Sequence, residues 1–306
     1  MLYFWGGLFL FFVGLEGIKR CLRYTGEGKV KQILKSFRES LLGAVIFGVF
    51  VTVILQSSSA VSIILISLLE ADVIDFKPAA AIMLGSNLGT TFTLQLFSVP
   101  VLVSGIENCF FLVGLMFVIY EFIRGKKNFY KGSVFLAFGI VFKGLKLMTY
   151  YFKQPENQEL IQEILAGLNE NMFLILLAGT VITMLVQSSS TVTGILVSMV
   201  YGGLLSFPVA VFFVLGSNIG TCITAFLAGV SYGIKGRFLA VIHTFYNLCG
   251  VICLLPFYKQ FISFVSLTAD SPARRLANAH SLFNLFIVLF VVLLYYITPK
   301  VINILY

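Results

Sequence analysis

Nine apolar stretches, near residues 2–18, 40–69, 78–98, 100–122, 132–152, 171–203, 207–229, 238–258 and 276–297, occupy most of the chain. Crossing about 30 Å of hydrocarbon takes roughly 20 helical residues, and most of these stretches reach that length. A lone apolar segment in lipid must satisfy its own backbone polar groups, so the stretches predict helices. The period-two alternation of barrel strands is absent. A chain of 306 residues that is 59% hydrophobic and 11% charged cannot clothe a water-soluble surface.

Charge places the segments relative to the bilayer. Seven basic residues fall between Lys19 and Arg38 and four more between Arg124 and Lys131, each group abutting an apolar stretch. By the positive-inside rule both are cytoplasmic loops, with an amphipathic surface helix at Lys29–Arg38 as an alternative for part of the first. The net charge of +8 therefore reads as topology and not as nucleic-acid binding. The first stretch has no basic residue before Lys19 and no small-residue cleavage site, so it is expected to stay as a membrane helix. Cys21, Cys109, Cys222, Cys249 and Cys253 are odd in number and scattered, which implies neither a disulfide framework nor a metal site.

An internal repeat turns hydropathy into a mechanism. Gln56-Ser57-Ser58-Ser59 recurs as Gln187-Ser188-Ser189-Ser190, and Gly85-Ser86-Asn87-Leu88-Gly89-Thr90 recurs as Gly216-Ser217-Asn218-Ile219-Gly220-Thr221, both at an offset of 131. Aligned without gaps in that register, Gly48–Thr93 and Gly179–Thr224 share 19 identities in 46 positions, including Thr52 with Thr183 and Thr93 with Thr224. The segment 19–38 is basic, whereas the equivalent 149–169 carries Lys153 against Glu156, Glu159 and Glu163. Equivalent loops thus prefer opposite sides, as an inverted-topology repeat requires, with binding sites near the midplane where the copies meet. The arms flanking Gln56–Ser59 suit a re-entrant hairpin; a broken spanning helix over 40–69 has the same parity.

Four adjacent hydrogen-bonding side chains inside an apolar run must find partners or cost roughly 2–7 kcal/mol per unpaired group. Local back-bonding of serines would satisfy one such block, but not its recurrence 29 residues before a Gly-Ser-Asn block in both copies. Serine at a helix break is a favoured N-cap, and a helix start offers free N–H groups to an anion. Two such starts can hold a tetrahedral oxyanion from opposite sides, and Gln56 and Gln187 can bridge it to a cation. The Gly-Ser-Asn blocks read either as close packing through Gly-x3-Gly or as unwound turns whose carbonyls bind Na⁺. No carboxylate, histidine or lysine lies in these blocks, which favours Na⁺ over proton coupling and argues against an enzyme, as does the lack of any Ser/His/Asp set. Downstream, Arg237, Ala240, His243 and Asn247 recur as Arg274, Ala277, His280 and Asn284, where His and Asn share a helix face and can bridge neighbouring helices.

The paired QSSS motifs, each followed by GSN-[IL]-GT and then by the segment from Arg237 through His243 and Asn247 to Pro256, resemble the type II sodium/phosphate cotransporters over about residues 8–257. The chain departs from animal members in lacking their large glycosylated loop. The resemblance implies a two-repeat helical transporter. Phosphate would be bound by Gln56, Ser57, Ser58, Ser59, Gln187, Ser188, Ser189 and Ser190, and Na⁺ by Gln56, Ser86, Asn87, Thr90, Gln187, Ser217, Asn218 and Thr221. His243, Asn247, His280 and Asn284 are assigned structural or gating roles.

The expected fold is an all-α polytopic protein of the plasma membrane, with two inverted repeats built from re-entrant hairpins and broken helices. Residues 1–123 form the first repeat, 124–131 a basic cytoplasmic linker, 132–258 the second repeat and 259–306 a C-terminal helix. The expected activity is Na⁺-coupled phosphate symport by alternating access, with Na⁺ as coupling ion, no other metal or cofactor, no nucleic-acid partner, and self-association compatible with the sequence. A carrier or exporter of another small oxyanion is the nearest alternative. An anion channel would instead pass current without counter-ion dependence, and a membrane scaffold would show no substrate-dependent stabilisation.

Overall fold

The computed structural model describes residues 1–34, 40–99, 105–125, 130–166 and 171–305. Among these the regular structure is entirely helical: α1 (Leu2–Leu34), α2 (Leu41–Leu55), α3 (Ser58–Glu70), α4 (Phe76–Phe97), α5 (Ile106–Ile123), α6 (Tyr130–Phe152), α7 (Pro155–Ala166), α8 (Met172–Val186), α9 (Ser189–Tyr201), α10 (Phe207–Tyr232), α11 (Ile234–Leu254), α12 (Tyr258–Ser266) and α13 (Pro272–Leu305). Four described segments are long and apolar enough to cross a membrane: Ser133–Phe152, Phe207–Tyr232, Ile234–Ser266 and Pro272–Tyr295. Large apolar side chains such as Phe50, Met116, Phe245 and Leu289 face outward, as lipid contact requires.

One difference from the hydropathy reading lies at the start. α1 does not stop near residue 18 but runs on to Leu34 through the basic segment expected as a loop. Residues 19–34 hold no proline, and their Lys, Arg, Gln and Leu are good helix formers, so polarity alone does not end the helix. The side chains of residues 22–39, and with them the amphipathic surface considered for Lys29–Arg38, lie outside the described residues.

α1 and α6 pack together through glycines. A Cβ on Gly7 would meet the Gly144 carbonyl at 2.8 Å, and one on Gly14 would meet the Ala137 carbonyl at 2.7 Å. Rising numbers on one helix therefore meet falling numbers on the other, so the two run antiparallel. The two contacts are also related to each other: Gly7 and Ala137 are equivalent at an offset of 130, as are Gly14 and Gly144.

The choice between hairpin and broken helix is decided by register. Gly89 lies against Thr52 and Thr93 hydrogen-bonds Gln56, each pair 37 residues apart, so α2 and α4 run parallel. Gly220 lies against Thr183 at the same separation, so α8 and α10 do too. Since only residues 71–75 separate α3 from α4, α3 must run back alongside α2, and α9 alongside α8. Each pair is a helical hairpin. Its arms of 15 and 13 residues are about 22 and 20 Å long, too short to span the hydrocarbon.

The Gly-Ser-Asn blocks are not unwound. α4 and α10 are continuous through Gly85–Thr90 and Gly216–Thr221, so the turn with exposed carbonyls is absent. The glycines serve close packing instead: a Cβ on Gly85 would overlap the Val45 carbonyl, and one on Gly216 the Leu176 carbonyl. Without Cβ atoms the backbones of α2 and α4, and of α8 and α10, meet directly.

Candidate functional site

At each hairpin tip the chain breaks in the same way. Gln56 (φ 50°, ψ 32°) and Gln187 (φ 54°, ψ 24°) adopt the left-handed conformation that ends α2 and α8. Ser57 and Ser188 then turn extended and cap the next helix, their Oγ atoms accepting from Ala60 N at 3.2 Å and Thr191 N at 3.3 Å. Val61 N and Val192 N bond to the carbonyls of those serines. The N–H groups of Ser58, Ser59, Ser189 and Ser190, in the first turns of α3 and α9, have no intrahelical acceptor. Each tip thus sets the negative end of one helix beside the positive end of the next.

Side-chain surroundings separate the two tips. Gln56 is 4% exposed; its Nε2 donates to the Val53 carbonyl at 2.8 Å and its Oε1 accepts from Thr93 Oγ1 at 2.9 Å. Gln187 is exposed and has no side-chain partner among the described residues. The first tip nevertheless reaches the long helix of the second copy, because Thr224 Oγ1 in α10 donates to Ser59 Oγ, 3.2 Å away. Thr224 also stands 37 residues after Gln187, the spacing at which Thr93 meets Gln56, which puts it level with the second tip. Ser58, Ser189 and Ser190 are buried, and Ser59 is half-buried.

In the Gly-Ser-Asn blocks the hydroxyls bond back into their own helices. Ser86 Oγ donates to the Met83 carbonyl (2.8 Å), Thr90 Oγ1 to Ser86 (3.0 Å) and Thr221 Oγ1 to Ser217 (2.7 Å). Ser217 Oγ is buried without a partner. Asn87 and Asn218 are instead held by side chains of α11 and α13. His243 Nε2 lies 3.1 Å from Asn87 Oδ1, and Asn87 Nδ2 donates to Asn247 Oδ1 at 3.0 Å. His280 Nε2 lies 3.2 Å from Asn218 Oδ1, which also accepts from Asn284 Nδ2 at 3.4 Å, while Asn218 Nδ2 donates to Val214.

Two pairs of threonines enter the site that sequence reasoning aligned without assigning a role. Thr93 and Thr224 tie the first tip to the two long helices, α4 and α10. Thr52 and Thr183, one turn before each glutamine, are buried with unpartnered hydroxyls. Their signal was identity at polar positions within the 131 register.

Apolar helices and paired hairpins with uncharged, broken tips define a membrane transport protein. The chain belongs to the Na⁺/Pi-cotransporter family, whose sequence profile matches residues 10–150 and 154–292 in succession. It is 33% identical over 279 residues to the uncharacterised protein YqeW of Bacillus subtilis, covering 90% of this chain and 89% of that one. It is 24% identical over 238 residues to YjbB of Escherichia coli, whose name assigns it to inorganic phosphate export; the match covers 78% of this chain but 43% of YjbB. The human sodium-dependent phosphate transport protein 2B is 40% identical over 97 residues, 30% of this chain and 14% of that protein. No solved structure matches the chain.

Proposed function

We propose that the protein carries inorganic phosphate across the plasma membrane, coupled to Na⁺, by alternating access to one site between the hairpin tips. The observation that carries the reading is the pair of identical tip geometries, with the first tip held against the long helix of the second copy through Ser59 and Thr224. Phosphate would be bound by Gln56, Ser57, Ser58, Ser59, Gln187, Ser188, Ser189 and Ser190. In this reading the N–H groups of Ser58, Ser59, Ser189 and Ser190 supply the donors a tetrahedral oxyanion needs. Phosphate at neutral pH carries between one and two negative charges, and these residues supply no opposing charge. Na⁺ does so from the carbonyl ends of α2 and α8 and from oxygens of Gln56, Ser86, Thr90, Gln187, Ser217 and Thr221.

The inverted arrangement is part of the same proposal. The antiparallel run of α1 against α6 supports it, as does the exchange of equivalents between the Gly7–Gly144 and Gly14–Ala137 contacts. Import is the proposed direction; export is the second reading, favoured by the name of YjbB.

In proteoliposomes an inward Na⁺ gradient should drive phosphate accumulation, and Ser58→Ala or Ser189→Ala, which keep the backbone N–H but remove a hydroxyl that also donates to the anion, should reduce it about tenfold. Equal accumulation with K⁺ in place of Na⁺ would reject the coupling.

A further inference from the structure

The Arg-x2-Ala-x2-His-x3-Asn pattern recurs at an offset of 37, unlike the 131 that relates the hairpins, and the fold gives that second offset a spatial meaning. At the start of α11, Arg237 donates to the Val230 carbonyl in the last turn of α10 at 3.4 Å. Farther along α11, His243 and Asn247 grip Asn87 in α4. At the start of α13, Arg274 donates to the Gln95 carbonyl at 3.3 Å and to Ser98 Oγ at 3.0 Å, both at the end of α4. Farther along α13, His280 and Asn284 grip Asn218 in α10. Each helix therefore holds the end of one long helix and the middle of the other, and the pair does so crosswise.

The two helices also meet at equivalent positions. A Cβ on Gly250 would press into the side chain of Ile287, its equivalent at the offset of 37. A residue facing its own equivalent is the mark of a two-fold axis. Leu239 and Leu276, and Ala240 and Ala277, are equivalent pairs and all fully buried. Chain order would make α5 the first-copy counterpart of α11, yet α5 packs on α6 while α13 takes the place against α4.

We propose that α11 and α13 are two-fold-equivalent straps. In this role His243, Asn247, His280 and Asn284 are positioning residues that act through Asn87 and Asn218 to set the separation of α4 and α10. The hydrogen bonding of the asparagines supports positioning over ion binding. Asn218 Oδ1 accepts from two donors, which uses both its lone pairs. Because Asn Oδ1 only accepts, each histidine must present Nε2–H, and each Nδ1 is buried without a partner. The separation matters because α2 packs on α4, and α8 on α10, backbone to backbone through glycine, so each hairpin moves with its long helix. A strap that fixes α4 against α10 thereby fixes the distance between the tips. The consequence for cargo rests on the transport reading; the mechanical part does not.

Two measurements on the full chain keep these apart. The first is thermal unfolding in detergent without cargo, as double-mutant cycles of Asn218→Ala with His280→Leu and of Asn87→Ala with His243→Leu. The straps predict that each double variant loses no more than its worse single variant, whereas additive losses in both cycles overturn them. The second is the sodium dependence of phosphate uptake in proteoliposomes. Asn218→Ala and His280→Leu should each lower the maximal rate about tenfold while leaving half-saturating sodium within about twofold, and His280→Gln, which keeps an N–H donor, should restore most of the rate. A rise of about tenfold in half-saturating sodium for Asn218→Ala, with His280→Leu unchanged, would make Asn218 an ion ligand and overturn the positioning role. If the parent protein shows no sodium-driven uptake, the transport reading fails while the unfolding cycles still decide the straps.

Discussion

Gln56 and Gln187 share a backbone conformation and differ in everything around it. Each sits at positive φ, where a non-glycine residue is uncommon, and each is followed by a serine cap. Only Gln56 is enclosed, with Thr93 and the Val53 carbonyl as partners. Gln56→Ala should therefore cost roughly 1–3 kcal/mol by leaving buried groups unpaired, whereas Gln187→Ala should stay within about 0.5 kcal/mol. Midpoints of thermal unfolding in detergent would order the two. Removing the caps should be more even-handed: Ser57→Ala and Ser188→Ala should each cost roughly 0.5–2 kcal/mol in the same assay. The caps were legible because a cap is a local bond between a serine and an N–H three residues on. The burial of one glutamine and not the other was not, since it depends on α4 and on how each hairpin docks.

Between elements, glycine decides how near two helices can come. Gly85 and Gly216 sit where any side chain would enter the backbone of α2 or α8. Gly85→Ala and Gly216→Ala should each destabilise by about 1–3 kcal/mol or more, the usual penalty for overpacking. Gly6→Ala, with open space at its Cβ, should be neutral; retention of the monodisperse peak in size exclusion after heating would check all three. The same glycines settle the Gly-Ser-Asn blocks, which the sequence left open between an unwound turn and close packing, in favour of packing. A Gly-x3-Gly pair is compatible with a break and with tight packing, and the parallel partner 37 residues upstream decides between them. Ser86, Thr90 and Thr221 in these blocks bond one turn back within their helices, which satisfies their hydroxyls while α4 and α10 stay continuous.

Across the whole molecule the two tips differ at their glutamines, Gln56 being buried and Gln187 exposed. In a background with the five native cysteines replaced, Gln187→Cys should react readily with a membrane-impermeant maleimide and Gln56→Cys should not. Sodium and phosphate together should slow the labelling of Gln187→Cys if the tips close on cargo, and equal labelling with and without them would count against alternating access at this site. The docking of α13 against α4 belongs to the same scale. It joins residues from opposite ends of the chain, Arg274 with Ser98 and Gln95 with Asn278 and Ser281, and it gives the first copy the neighbour that chain order alone would have assigned to α5.

The amino-acid sequence by itself determined the helical class, the membrane setting, the two copies and the breaks at their QSSS tips. Each of these follows from composition, from spacing along one chain, or from bonds spanning a few residues. It also presented His243, Asn247, His280 and Asn284 as two equivalent sets without naming what they hold. Tertiary structure alone decided that α3 and α9 fold back as hairpins. It alone turned the glycines of the Gly-Ser-Asn blocks to packing, and joined the histidine helices to Asn87 and Asn218. Those outcomes depend on contacts between residues tens to hundreds of positions apart, where neither hydropathy nor local capping carries information.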